Sequence, residues 1–358
     1  NSIRTLIHGT VVNASALLCY TPARSTAAAE AVEVTLNGDV SSHTLTSNGV
    51  LFDFYDASAV RIDSIAPQGG PAEGGTLVVV RGAGYVDRGG VFCRFGEHRP
   101  SASPATLHSS TELRCRSPVS PHRGTLDDVI GGSVWLALTL NDDHAAYTST
   151  NVSFKYLLSA AGDEAVQVSL VLPVAGPSAG GSLLNVSGQG FESLGGVFCR
   201  FGTEERTVPG TLVSGQLMLC RSPSFSIPLA GVLSEYGLQE SVEVSLNGQN
   251  YTTSSVSFLA FDKANVHVSS LVPYGGPAAG GTLITVLGGG FADHNVHCLI
   301  GSENSIRTLI RGTVVNASAL LCYTPARSTA AAEAVEVTLN GDVTSHTLTS
   351  NGVLFDFY

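Results

Sequence analysis

Pro67-Gln68-Gly69-Gly70-Pro71-Ala72-Glu73-Gly74-Gly75-Thr76 recurs as Pro173-Val174-Ala175-Gly176-Pro177-Ser178-Ala179-Gly180-Gly181-Ser182. It returns once more as Pro273-Tyr274-Gly275-Gly276-Pro277-Ala278-Ala279-Gly280-Gly281-Thr282. Each copy runs into alternating apolar residues, Val78 and Val80, Leu184 and Val186, Ile284 and Val286. A Gly-x-Gly-aromatic turn follows, at Gly82 to Tyr85, Gly188 to Phe191 and Gly288 to Phe291. Period-two alternation places one face of each segment in a core and the other in water, as in a half-buried strand. Later, Val242, Val244 and Leu246 lead to Asn247-Gly248, and Val335, Val337 and Leu339 to Asn340-Gly341. Asn-Gly after alternation predicts a tight hairpin turn, because both residues tolerate positive φ. Each unit closes on a last alternating run with inward Phe154 and Tyr156, Phe258, or Phe355 and Phe357. Many short strands punctuated by turns predict an all-β chain of tandem sandwiches. The Ala-rich stretch from Thr329 to Ala334 is the exception, since it could form one helical turn.

A second, longer period encloses the first. Asn1 to Tyr55 equals Asn304 to Tyr358 except at His8 against Arg311 and Ser41 against Thr344. The chain therefore divides into a trailing half-domain, 1–55, and complete units at 57–158, 164–262 and 263–358. Neighbouring units differ clearly, so the repeating object is a three-domain cassette of 303 residues. Residues 1–55 lack the Gly-Pro-x-x-Gly-Gly segment and would leave Val32, Val34, Leu36, Phe52 and Phe54 uncovered. Asn1 is then expected to be a cut point, with an upstream segment similar to residues 265–303 completing the half-domain.

Composition excludes several classes. Of 358 residues, 43% are hydrophobic and 13% charged, with a net charge of −11, and Lys155 and Lys263 are the only lysines. An acidic chain without a basic run has no electrostatic footprint for nucleic acid or anionic lipid. The apolar content argues against disorder, and no apolar run is long enough for a spanning helix. No leader peptide is evident, although the chain opens in mid-pattern.

The seven cysteines follow the repeat. Cys93 and Cys115, Cys199 and Cys220, and Cys298 and Cys322 fall within single units, separated by 22, 21 and 24 residues. Cys19 occupies the place of Cys322, with its partner expected upstream. One disulfide per domain would contribute about 3 kcal/mol by restricting the unfolded chain and would mark an extracellular address. Buried free thiols in a reducing compartment are the alternative.

Gly-Pro-x-x-Gly-Gly-(Thr/Ser), Gly-x-Gly-aromatic, Cys-x-Phe-Gly, Cys-x-Ser-Pro and the late Asn-Gly together resemble the IPT/TIG immunoglobulin-like domain of plexin-type ectodomains, adhesive surface proteins and some transcription factors. The resemblance covers essentially the whole chain and implies an early-set immunoglobulin-like sandwich for every unit. Cys298-Leu299-Ile300-Gly301 and Asn141-Asp142-Asp143 depart from the pattern. A domain of this kind serves mostly as a spacer or contact module, so the fold does not name a function.

Candidate chemistry is sparse. Gly176-Pro177-Ser178-Ala179-Gly180 matches a Gly-x-Ser-x-Gly nucleophile pattern, but Ala72 and Ala278 replace the serine in its counterparts. His294, His297 and Cys298 are close in sequence, yet alternation sends His297 and Cys298 to opposite faces. Asn141-Asp142-Asp143 offers oxygens for Ca²⁺ without spaced further carboxylates. The Gly-x-Gly turns lack the third glycine and helix of a phosphate loop. No cofactor, metal or catalytic activity is expected. Sequons stand at Asn13, Asn151, Asn185, Asn250 and Asn316, with Asn151 and Asn185 on the outward phase of their strands. Ser/Thr tracts at 41–47, 147–150 and 252–255 offer O-glycan positions or ordinary edge-strand residues. The expected role is a structural segment of an extracellular fibre, sheath or surface appendage, whose partners are neighbouring repeats or copies of itself. The alternative is the stalk of an adhesin or receptor ectodomain presenting a ligand-binding region.

Overall fold

The computed structural model describes residues 4–41, 44–96, 101–120, 132–143, 147–148, 151–157, 166–226, 237–301, 306–343, 347–349 and 352–358. The 158/164 boundary between the first and second units lies outside them, as do Thr344 and parts of the tracts at 41–47 and 147–150.

Every complete unit is a two-sheet sandwich. In the second, one sheet orders Gln167–Leu172, Leu183–Gln189, Leu217–Arg221 and Thr207–Ser214. The other orders Ala175–Pro177, Val256–Phe261, Leu238–Ser245 and Phe198–Phe201, and Thr207–Ser214 joins this sheet too. Thr207–Pro209 pair with Phe198–Arg200, whereas Gly210 onward pairs with Leu217–Cys220, so one strand turns the corner between sheets. Among the described residues an isolated bridge from Gly196 to Asn247 is parallel, and the unit's strand pairings are antiparallel except that of Ala175–Pro177 with Leu259–Phe261. That parallel contact closes an edge which would otherwise present unpaired backbone. The same pairing joins Gly69–Pro71 to Lys155–Leu157 and Gly275–Gly276 to Asp356–Phe357.

The inward phase of each strand fills the space between sheets. Leu184 and Val186, the alternating pair of the second unit, join Phe201, Met218, Val242, Val244 and Phe258 in its core. The cysteine pair crosses it: Cys199–Cys220 joins the two sheets, as do Cys93–Cys115 and Cys298–Cys322 in their units. All six of these cysteines are buried.

The Gly-x-Gly-aromatic motif has a packing cause. The aromatic ring folds back over the first glycine, where a Cβ would lie 2.3 Å from Tyr85 Oη, 2.5 Å from Phe191 Cζ or 2.8 Å from Phe291 Cζ. The second glycine has φ of +77°, +71° or +70°, a region closed to most side chains.

Two local expectations are corrected. The Ala-rich segment forms no helical turn: Thr329 to Ala331 is irregular and Ala332–Thr338 is a strand. Its Ala332–Ala334 stretch pairs with Leu354–Asp356, and sheet pairing overrides the high helical propensity of alanine, as tertiary context commonly does. Asn247-Gly248 is not a two-residue hairpin either. The strands end at Ser245 and resume at Val256, and of the two residues only Gly248 takes positive φ. Glu243 holds the intervening loop, accepting from Thr252 Oγ1 at 2.5 Å, Ser254 N at 2.9 Å and Ser255 N at 2.7 Å.

In the leading half-domain only two isolated strand pairs form among the described residues, Thr10–Asn13 with Ala16–Leu18 and Ala28–Ala31 with Leu51–Phe54. Leu36 is 91% exposed whereas its copy Leu339 is 1% exposed. Fully burying such a side chain stabilises by about 1.5–3 kcal/mol. Isolated 263–358 should therefore melt cooperatively in a circular dichroism scan, and isolated 1–55, despite its near-identical sequence, should show no transition.

Burial pushes the Tyr85 and Tyr156 phenols far above the ordinary value of 10.0. The Tyr156 hydroxyl donates to Pro118 O at 3.1 Å. Because the unfolded chain ionises first, this contribution to stability is complete below the ordinary phenol value and falls as pH rises beyond it. Alkaline titration should show these two phenolates appearing only with unfolding of the first unit.

Candidate inter-domain joints

The polar groups that the sandwich leaves over converge where one unit meets the next. At the first joint the Gln68 amide donates to Leu194 O at 2.7 Å. Asn247 Nδ2 donates to Gly69 O at 3.0 Å. Gln249 clasps the start of the strand Leu77–Ala83 twice: Leu77 N donates to its Oε1 at 3.0 Å, and its Nε2 donates to Leu77 O at 2.9 Å. Thr76 Oγ1 donates to Asn250 Oδ1 at 3.2 Å, and Lys155 pairs with Glu192. Leu157 packs onto the second unit's core beside these bonds.

The second joint repeats the central bond with a more apolar surround. Asn340 Nδ2 donates to Ala175 O at 2.9 Å. Ala175, Phe261 and Leu259 belong to the third unit's hydrophobic cluster. The connection is a single 3-10 turn, Lys263–Asn265, capped by Asp262, whose carboxylate accepts from Ala264 N. The leading fragment enters the first unit through the equivalent turn Ala57–Ala59, capped by Asp56. Hydrogen bonds from Ser58 hold that exposed carboxyl below its ordinary value.

The asparagine is pre-set within its own unit. Its Oδ1 accepts the hydroxyl two residues before it, Ser245 at 3.3 Å or Thr338 at 2.9 Å, and the amide two residues after, Gln249 at 3.0 Å or Asp342 at 3.1 Å. With Oδ1 so engaged, Nδ2 faces the preceding domain. Asn247 and Asn340 are 5% and 3% exposed. The Asn-Gly signature was thus legible, but its role across the joint was not. The signal that could have found it is the repeated (Ser/Thr)-Leu-Asn triplet at Thr35, Thr139, Ser245 and Thr338.

The other sequence candidates fall outside these joints or gain nothing from them. Ser178 lies between the strands Ala175–Pro177 and Leu183–Gln189, its amide bonded to Phe261 O. His297 Nδ1 is 2.7 Å from Asn295 O, and Cys298 is bonded to Cys322. Half-buried His294 is pushed by burial below its ordinary value, against the opposing pull of Asp293. Asp142 takes φ +58° where Gly248 and Gly341 take +75° and +76°, so the Asn141-Asp142-Asp143 departure keeps the loop shape. No three His, Cys, Asp or Glu residues come together in a metal-holding group among the described residues. Asn13, Asn151, Asn185 and Asn316 are exposed; Asn250 is exposed too, but its Oδ1 is engaged at the joint. Cys19 is exposed and unbonded.

This geometry defines a string of immunoglobulin-like sandwiches joined by short, hydrogen-bonded contacts. The IPT/TIG domain family model matches residues 60–156, 167–260 and 267–357, and the chain belongs to that family. Among solved structures it is similar to the plexin A4 extracellular region, at 12% identity and TM-score 0.33, covering 90% of this chain and 35% of that one. It is also similar to a tetra-tandem repeat from the extending region of a large adhesion protein, at 11% identity and TM-score 0.22, covering 82% of this chain and 73% of that one. The chain thus spans about a third of the plexin ectodomain it matches. No curated protein matches it in sequence.

Replacing Gln249 by Ala removes two bonds across the first joint, each worth about 1 kcal/mol. Scanning calorimetry of the Gln249→Ala protein should show the first and second units melting further apart than in the parent, with the third unit's transition unmoved.

Proposed function

We propose that this chain is a segment of a long extracellular array of IPT/TIG domains that builds a fibre, sheath or surface appendage. The observation that supports it most is the 303-residue repeat, identical at all but two of the compared positions. Fold constraints do not require such identity, since neighbouring units keep the same sandwich with far less of it. A polymer of equivalent segments does. The joints support the same reading: an apolar contact plus an Asn-to-carbonyl bond limits bending, and the connecting turn from Lys263 to Asn265 leaves little slack. One disulfide per complete unit suits an oxidising exterior.

In this role the domains supply length and stiffness rather than chemistry, and their partners are neighbouring repeats or copies of the same chain. Exposed Asn13, Asn151, Asn185 and Asn316 point outward for covalent glycans. At about 33 Å per 100-residue domain from compactness scaling, one cassette extends roughly 100 Å. Electron micrographs of the native material should show thin rods with that axial repeat. Globular particles would refute the array. Short rods each ending in a distinct head would assign the domains to an adhesin or receptor stalk instead.

A further inference from the structure

Three equivalent joint-forming faces lie among the described residues, and two of them are seen occupied. Gly69 O and Ala175 O each receive an asparagine amide from the following unit. The equivalent Gly275 O has no donor among the described residues. Around it, Tyr358 is 75% exposed and Tyr274 76% exposed, whereas Phe261, at the position of Tyr358 in the second unit, is 3% exposed. The first unit carries the matching half. Asn141 Oδ1 accepts Thr139 Oγ1 at 2.9 Å and Asp143 N at 3.3 Å, the arrangement seen at Asn247 and Asn340. Its Nδ2 has no acceptor among the described residues, and it is only half-buried.

The leading fragment shows part of the missing contact directly. Asp53 and Tyr55 are copies of Asp356 and Tyr358. Asp53 Oδ2 accepts from Arg88 Nε at 3.0 Å, and the Arg88 guanidinium stands 4.5 Å from the Tyr55 ring centroid. The fragment lacks the Pro-x-Gly-Gly-Pro strand, so the asparagine bond cannot form there.

We propose that the face of the third unit formed by Gly275, Asp356 and Tyr358 is a docking surface for a domain of the first unit's sequence, which seats Arg88 between Asp356 and Tyr358 and donates Asn141 Nδ2 to Gly275 O. This rests on the array reading and adds the order of assembly to it. Each joint has its own partners: Lys155 with Glu192, Leu259 and Phe261 with the third core, Asp356 with Arg88. Wrong orders meet like charges. A first unit following a first unit would bring Arg88 toward Lys155, and a second following a third would bring Glu192 toward Asp356. Like charges in register penalise the wrong neighbour while opposite charges favour the right one.

The test extends the 358-residue chain after Tyr358 with a second copy of residues 56–158, the segment that follows Tyr55. In a second protein the appended segment is 164–262. Calorimetry establishes that each appended domain is folded, and NMR reads exchange of the Tyr274 amide, whose equivalent Gln68 is bonded across the first joint. Tyr274 should exchange at least about tenfold more slowly with the first-unit extension and unchanged with the second-unit one. Asp356→Arg, or Arg88→Asp in the appended copy, should each abolish the protection, and the two together should restore it. Unchanged exchange with a folded first-unit extension overturns the docking, as does equal protection by either extension. Rods in micrographs with an unprotected Tyr274 would sink this proposal alone; a protected Tyr274 without an axial repeat would sink the array alone.

Discussion

Each unit depends on the parallel pairing between its short Gly-Pro strand and its own last strand. Gly69–Pro71 against Lys155–Leu157 closes the edge of the second sheet and brings Tyr156 over the core. The strand is short because it begins directly after the chain has crossed from one sheet to the other. One of its carbonyls therefore faces out of the unit, along the array rather than into the sandwich. A buried carbonyl without a donor is costly, and the neighbour's asparagine satisfies it. Closure of one domain and connection to the next are thus the same few residues.

That coupling explains why the joints are polar at the centre and apolar around it. Leu157, Leu259 and Phe261 lie at the end of each last strand, next to the carbonyl, and pack onto the following core. Water is kept from the hydrogen bond, which strengthens it. The charged pairs at the rim, Lys155 with Glu192 and Arg88 with Asp53, are partly exposed and contribute about 0–1 kcal/mol each. Their value lies in choosing the neighbour more than in holding it. Each such joint ties neighbouring sandwiches together through a hydrogen bond and an apolar contact at once.

The chain contains its own control experiment. Residues 28–55 and 331–358 differ at one position, Ser41 against Thr344, yet Leu36 and Leu339 lie at opposite extremes of exposure. The same holds for Cys19, exposed and free, and Cys322, buried and bonded. The Arg24–Glu30 pair is partly exposed, while its copy Arg327–Glu333 is 9% exposed on both sides. Strand pairing survives in the fragment because it is local. Burial does not, because four strands shared between the two sheets of the complete unit, His267–Val272, Gly275–Gly276, Leu283–Gly289 and His297–Ile300, have no counterpart in the fragment.

By itself the sequence determined the sandwich, three tandem domains and the inward phase of the strands. Period-two patterning and glycine placement are local, and repetition made them readable several times over. The Ala-rich strand escaped this reading because alanine carries little pattern of its own and sheet neighbours decided its state. The joints escaped it for a different reason. The bond from Asn247 to Gly69 spans 178 residues, and no periodicity within either unit records that a turn of one domain faces a carbonyl of another. Only the tertiary structure decided that, because it alone places the last strand, the outward carbonyl and the next domain's loop at one point in space.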